Sequence, residues 1–409
     1  MPTVEPDPDH AGVRKMHHLS QDPSNSTDTV STDVAIIGGG IIGMSAAWRC
    51  AQRGLSVTVV DPDFDADDAP RGAWHTAAGM LAPVTELDFT ETALLRLNTA
   101  ACRLWPDFAR ELSRAAGLQT GFARSMTLQI AWDSADMDRL RDLAAFGTDL
   151  GLDFQMLTGR QLRATQSGLA PGLPGGLLAR GDHQADPRQV HHALCTAAES
   201  AGVTCIRGTA GLVVDDDRVL GIRLEGGGDH IAAEHVVLAA GAWSGHIAGV
   251  ESPPGVRPVK GQTVRVRLPG PSRLDYVVRA RIKGNPVYVV PRADGEYVIG
   301  ASVEETGFDQ SPRTGAVYEL MRDAISLIPE LSESTFTEVC TGLRPGSPDN
   351  APIVGPSGIE GLVYATGHFR NGVLLAPITA TAVADIIESG APADAMRPFH
   401  PSRLTEVTA

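Results

Sequence analysis

Lysine is nearly missing from this 409-residue chain: Lys15, Lys260 and Lys283 are all there are. With Lys+Arg 34 against Asp+Glu 49, the formal net charge is −15. A field of that sign repels polyanions, which excludes nucleic acid and anionic membrane surfaces as expected partners. Cysteine is sparse too. Cys50, Cys102, Cys195, Cys205 and Cys340 are odd in number, scattered and never spaced C-x-x-C, so neither a disulfide framework nor a zinc knuckle is implied and no metal is expected. The chain has no basic segment leading into an apolar one near its start, so a cytoplasmic protein is expected. The apolar stretch over 34–48 is broken by four glycines and is too short to cross a bilayer.

What is present is enough for a sizeable core: 43% of residues are hydrophobic, which at this length predicts two domains. Residues 1–31 are polar, carry no periodic apolar pattern and read as a disordered tail. The run Asp33-Val34-Ala35-Ile36-Ile37 then reads as a buried parallel strand, followed by a glycine-rich turn over 38–43 and a helix through Gln52. A second strand, Ser56-Val57-Thr58-Val59-Val60, ends in Asp61 and completes a βαβ unit. Leucines at spacings near three and four predict helix over 91–150. A helix over 187–200, strands at 204–206 and 236–241, a strand at 362–365 and a helix over 371–387 return to the parallel pattern. Residues 259–305 instead alternate as antiparallel strands of a second sheet. The fold class is therefore α/β: a Rossmann-like dinucleotide domain built from 32–87, 175–256 and 342–395. An α+β substrate domain on an antiparallel sheet, 88–174 and 257–341, is interleaved with it.

The fingerprint Gly38-x-Gly40-x-x-Gly43 lies between the strand and the helix, the context that gives it meaning. Gly38 permits the tight turn, Gly40 lets backbone approach a pyrophosphate, and Gly43 lets helix and sheet pack closely. Asp61 stands at the ~20-residue offset of an acid that holds ribose hydroxyls. The fingerprint alone does not choose between FAD and NAD. The small-residue stretch over 71–80 suits a backbone wrapped against a bulky ring system, or simply an ordinary connection, and the acidic residues 63–68 read as a solvated loop.

Taken in order, Ala35-Ile36-Ile37-Gly38-Gly39-Gly40-Ile41-Ile42-Gly43, Ala77-Ala78-Gly79-Met80, Pro258-Val259-Lys260-Gly261, Tyr288-Val289-Val290-Pro291-Arg292, Gly342-Leu343-Arg344-Pro345-Gly346 and Gly367-His368-Phe369-Arg370-Asn371-Gly372 resemble the glycine oxidase family of thiamine biosynthesis. That family lies within the D-amino-acid oxidase/sarcosine oxidase superfamily, and the resemblance spans about 33–390. It implies a Rossmann-like FAD-binding domain in which Ile41, Ile42, Asp61, Ala73, Trp74, Ala78, Gly79 and Met80 contact FAD. His368, Phe369, Arg370, Asn371, Gly372, Val373 and Leu374 would do so as well, with a backbone contact near Gly211. It places Tyr288, Arg344 and Arg370 at the substrate carboxylate.

These assignments fit the chemistry. A small amino acid offers one carboxylate as its rigid handle, and arginine grips it with two charge-assisted bonds worth ~1.5–3 kcal/mol each. Without the resemblance, Arg344 reads equally as a surface arginine, Tyr288 as a core aromatic and His368 as a satisfied loop histidine. Because no cysteine lies in either cofactor-facing loop, FAD is expected to be held non-covalently. The expected reaction is hydride transfer from the amino-acid Cα to flavin, with O2 as acceptor and peroxide and an imine as products. A homo-oligomer is expected from the resemblance. Three alternatives stay open: an oxidase preferring sarcosine or D-amino acids, a quinone-linked D-amino-acid dehydrogenase, and a non-catalytic flavin-binding subunit.

Overall fold

A computed structural model describes residues 30–64, 72–83, 85, 91–249, 255–270 and 274–404. Residues 1–29 of the tail expected over 1–31 and most of the acidic loop lie outside the described residues, as does Arg71, while Val30 and Ser31, also expected in the tail, open the first strand. The βαβ unit forms as the sequence dictates: strand Val30–Ile37, helix Ile41–Gln52, strand Val57–Asp61. Val30–Ile37 pairs in parallel with Val57–Asp61 on one side and with His230–Leu238 on the other. Leu362–Thr366 and Thr204–Arg207 extend the parallel sheet, and the hairpin of Ala210–Asp215 and Arg218–Leu224 and the antiparallel strand Ile353–Pro356 complete eight strands. Continuous apolar runs such as VAII and VVL are what strands covered on both faces require.

One face of this sheet is covered by the helices Ile41–Gln52, Thr92–Ala116, Pro187–Ser200 and Gly372–Ser389, which share a single core with Trp48, Trp105 and Leu375 at its centre. Pro187–Ser200 starts sharply because Asp186 accepts from the amides of Arg188 and Gln189 and proline fills the first turn. Gly372–Ser389 is long and apolar enough to cross a membrane, but here Leu374, Leu375, Val383 and Ile386 are buried in that core.

The second sheet also has eight strands, in the order Thr335–Gly346, Arg257–Arg267, Glu296–Gly300, Asn285–Pro291, Val277–Ile282, Thr127–Ala131, Gly175–Ala179 and Phe154–Thr158. Every neighbour is antiparallel except Val277–Ile282 beside Thr127–Ala131. Helix Thr314–Leu327 packs its Leu320, Ala324 and Leu327 on one face of it.

Several expectations change. The span 91–150 is not continuous helix: strand Thr127–Ala131 separates Thr92–Ala116 from Ser134–Asp149, and all five of its residues are buried, so it shows no alternation. Thr92–Ala116, expected in the substrate domain, packs on the dinucleotide helices through Leu97, Trp105 and Leu112. Gly175–Ala179, expected to open a dinucleotide segment, pairs in the second sheet. Residues 342–346, expected to open the last dinucleotide segment, are the end of strand Thr335–Gly346, in register with Arg257–Arg267 of the second sheet. The glycines and Pro345 break the local pattern, but the long partner strand supplies the pairing.

Candidate functional site

The two sheets enclose a cavity of about 730 Å³. At its dinucleotide end, Gly38 adopts φ +108, and a Cβ there would lie 2.4 Å from the Ala239 carbonyl oxygen. A Cβ on Gly43 would lie 1.8 Å from the Gly38 carbonyl oxygen, so Gly43 serves helix packing and does not itself line the cavity. Gly40, Ile41 and Ile42 do line it, and a Cβ on Gly40 would meet nothing within 4 Å. The first-turn amides of helix Ile41–Gln52 precede its first internal bond, Met44 N–H to Gly40 C=O, and so remain for an anion. Asp61 shapes this end by accepting from the Gly39 amide at 2.6 Å and from the Asp63 amide at 2.8 Å.

The adjoining wall runs from Gly72 to Met80. Rather than open loop, it contains the single helical turn Ala73–Thr76, whose side chains are too few to reveal helix in the sequence. The wall is pinned from behind by residues that sequence reasoning did not single out. Arg292, almost fully buried, donates to the Ala78 carbonyl at 2.7 Å and to Gln184 at 2.9 Å. Thr263 donates to the Thr76 carbonyl at 3.0 Å, and Arg188 to the His75 carbonyl at 2.9 Å. His191 lies within hydrogen-bond distance of the Gly39 carbonyl at 2.7 Å and stacks on Trp74 with centroids 3.8 Å apart. Burial pushes the His191 imidazole down to about 4. Its neutral form therefore faces the cavity wall. Only Arg292 carried a sequence signal, as the last residue of the Tyr288 motif.

At the other end, Tyr288, Arg344 and Arg370 line the same cavity. Arg344 reaches from the edge strand Thr335–Gly346 and donates to the carbonyls of Ser302 at 3.1 Å and Lys260 at 3.3 Å. A Cβ on Gly261 would lie 2.4 Å from that guanidinium, which explains a glycine opposite it. Gly300 plays the same part for Tyr288, where a Cβ would sit 2.3 Å from the phenol oxygen. Arg370 lies over the Phe369 ring, 5.1 Å from its centroid. His368 is within hydrogen-bond distance of Thr379 at 3.0 Å, and burial pushes it down to about 3, so it is a neutral structural group rather than a cation.

Of the sequence-derived candidates, Gly38, Gly40, Ile41, Ile42, Asp61, Ala73, Trp74, Ala78, Gly79, Met80, Tyr288, Arg344, His368, Phe369, Arg370, Gly372 and Val373 all line this one cavity. Gly211, Asn371 and Leu374 do not. Gly211 sits on a strand against Ala248, leaving Thr209 and Glu225 to face the cavity there. Asn371 donates its amide to His368 and caps helix Gly372–Ser389; Leu374 packs in the helical core. Elsewhere His75, Glu338 and Cys340 bring donor atoms within 4.8 Å of one another, but Arg188 already donates to Glu338 and Cys340 at 3.1 Å. That guanidinium takes the cation's place.

The cavity fits a flavin dinucleotide. The first-turn amides, without partners among the described residues, suit a pyrophosphate, and the Thr76 hydroxyl, buried on the cavity wall, has no hydrogen-bond partner among the described residues. A dinucleotide cradle and an arginine-lined pocket thus meet in one cavity between the two sheets. The chain belongs to the FAD dependent oxidoreductase (DAO) family, whose model matches residues 33–386. It is 35% identical over 377 residues to the bifunctional protein ThiO/ThiG of Trichormus variabilis, covering 92% of this chain and 55% of that protein. The chain thus spans about half the length of the first curated relatives it matches. The crystal structure of glycine oxidase from Geobacillus kaustophilus superposes with TM-score 0.84 at 32% identity, covering 92% of this chain and 99% of that one. The crystal structure of iminodiacetate oxidase from Chelativorans sp. BNC1 gives TM-score 0.80 at 26% identity, covering 90% and 98%.

Proposed function

We propose that this chain is an FAD-dependent glycine oxidase that acts on glycine and other small amines or D-amino acids and supplies an imine, or the glyoxylate and ammonia derived from it, to thiazole formation in thiamine synthesis. The observation that carries the reading is the meeting of Arg344, Tyr288 and Arg370 with the Gly72–Met80 wall in one cavity. Bound FAD would supply the hydride acceptor and return the electrons to O2. The chain's own residues do the positioning. Arg344 is held by two carbonyls, which fixes the position of its guanidinium before substrate arrives. Arg370 and the Tyr288 hydroxyl complete the grip, and the amino acid's Cα is directed toward the wall that Arg292 and Thr263 immobilise. Neither His368 nor His191 serves as a base at neutral pH in this reading, since burial makes each imidazole a weak proton acceptor and each is bonded to protein groups. Orientation and electrostatics carry the rate.

In this reading FAD is bound non-covalently, which the lack of cysteine among the described lining residues supports. The protein acts in the cytoplasm as a homo-oligomer, to be checked by fractionation and sedimentation. The decisive experiment is peroxide release by purified, FAD-loaded protein given glycine, sarcosine, D-alanine or D-proline. Peroxide with glycine supports the reading; flavin reduction without peroxide moves the chain to the dehydrogenases.

A further inference from the structure

The substrate end of the cavity holds more positive charge than one carboxylate needs. Besides Arg344 and Arg370, its lining includes Arg139, Arg279 and Arg281. The lining acids Asp61, Asp63 and Glu225 belong to the dinucleotide end, so among the described residues no carboxylate lines the arginine end. This concentration occurs in a chain whose net charge is −15. A local reversal of that kind draws in anions.

The sheet register shows how the charges are laid out. Arg279 lies opposite Tyr288 and Arg281 opposite Pro286, while Arg279 also neighbours Gln129 on the far side. Cross-strand partners and residues two apart project to the same face, so Tyr288, Arg279, Gln129, Arg281 and Pro286 form one floor. Arg281 therefore stands two residues, ~7 Å, beyond the Tyr288 row. Arg139 comes to the same region from helix Ser134–Asp149 and is partly offset by Asp136 at 3.4 Å. Arg281 itself has no carboxylate within ion-pair distance among the described residues, and burial, with Arg139, Arg279 and Arg370 nearby, pushes its pKa down against the weaker opposing pull of Asp136. Arg281 and Arg139 are exposed as well as lining the cavity, so water tempers their mutual repulsion and an incoming anion relieves what remains.

We propose that the cavity has a second anion subsite, built by Arg281 with Arg139, and that it therefore prefers an amino acid carrying a second carboxylate over glycine. The proposal rests on the amine-oxidase reading for turnover, but not for binding. The α-carboxylate occupies Arg344, Arg370 and Tyr288, and the second carboxylate, borne on the nitrogen or on the Cα side chain, reaches the Arg281 row. For an N-carboxymethyl glycine the reaction balances. The Cα–H bond breaks, its electron pair passes by way of flavin to O2, and the amine proton leaves as C=N forms. Water then adds to C=N and the C–N bond breaks. One diacid, one O2 and one water give glyoxylate, glycine and hydrogen peroxide. The glycine released is itself a substrate of the proposed enzyme.

Two matched pairs test this in the FAD-loaded protein: sarcosine against iminodiacetate, and D-alanine against D-aspartate. Members of each pair differ by one carboxylate, and the pair that shows the larger preference tells whether the second carboxylate is borne on nitrogen or on carbon. Binding is read separately from flavin absorbance changes on titration with the unreactive acids acetate and malonate. We expect the diacid to be favoured by at least ~10-fold in kcat/KM in one pair and malonate to bind at least ~10-fold more tightly than acetate. Arg281→Gln should erase both preferences and leave kcat/KM for glycine within about twofold, with Arg139→Gln reducing them in part. Equal efficiency within both pairs together with equal acetate and malonate affinity would overturn the subsite, as would preferences that survive both substitutions. Malonate selectivity that depends on Arg281 in a protein without oxidase activity would keep the subsite and overturn the oxidase reading instead.

Discussion

At the scale of single residues, the site is set by what is kept out as much as by what is put in. Gly261 leaves room for the Arg344 guanidinium, which an added Cβ would approach to 2.4 Å. Gly261→Ala should therefore displace the fork and raise KM for glycine by ~10-fold or more while FAD stays bound, because the arginine remains but loses its aim. Arg344→Ala removes the grip altogether, and two lost charge-assisted bonds correspond to a ~100-fold rise or more. Steady-state kinetics alongside flavin absorbance separates the two cases. If Gly261→Ala left KM unchanged, the fork's position would not matter to the substrate. Arg344 was legible in the sequence as part of an ordered motif, but the role of Gly261 was not. A glycine's service to a side chain some eighty residues away is visible only once the strands are paired.

At the scale of elements, the cofactor wall is a segment with little structure of its own. Its one helical turn, Ala73–Thr76, holds because carbonyls at Thr76, His75 and Ala78 are claimed by Thr263, Arg188 and Arg292. Arg292 is the most exacting of these, being buried and also set 3.7 Å from Asp186, which caps helix Pro187–Ser200. Arg292→Leu should cost ~3–5 kcal/mol of stability by leaving Asp186 without its cation, and should weaken FAD binding in parallel. Urea midpoints and FAD titration of the stripped protein test this; retained FAD affinity in a destabilised variant would limit Arg292 to folding. The helices were legible from the spacing of their apolar residues, and the parallel strands from short continuous apolar runs bounded by turn residues. Thr127–Ala131 was not, since a short strand buried on every side carries no alternation, and its two neighbours, Gly175–Ala179 and Val277–Ile282, are both distant in the chain.

At the scale of the molecule, two buried histidines tie stability to pH. His191 and His368 are held down to about 4 and about 3, against an ordinary 6.5, by burial. The unfolded chain binds protons on both below pH 6.5 while the folded protein does not. Their contribution is intact above 6.5 and is lost progressively as pH falls toward about 4 for His191 and about 3 for His368. Each contributes a slope of up to ~1.4 kcal/mol per pH unit inside its window. His75 and His183 are pushed down by burial too, so with FAD in fixed excess urea midpoints between pH 5 and 6.5 should fall with acidification, and His191→Gln should flatten that decline in part. An undiminished slope in His191→Gln would place the acid sensitivity elsewhere.

The strand Thr335–Gly346 carries Arg344, sets Gly342 against the Thr76 side chain and meets His368 through Gly346. Anchor and cradle are thus parts of one beam. A substitution that shifts Arg344 along this strand would therefore also disturb the walls around Thr76 and His368. The opposite wall, where Gln129, Arg281 and Pro286 face the cavity, bears no such double duty in its side chains. Substitutions there can reshape what the cavity admits one side chain at a time, while the beam keeps the two ends of the cavity at a fixed spacing.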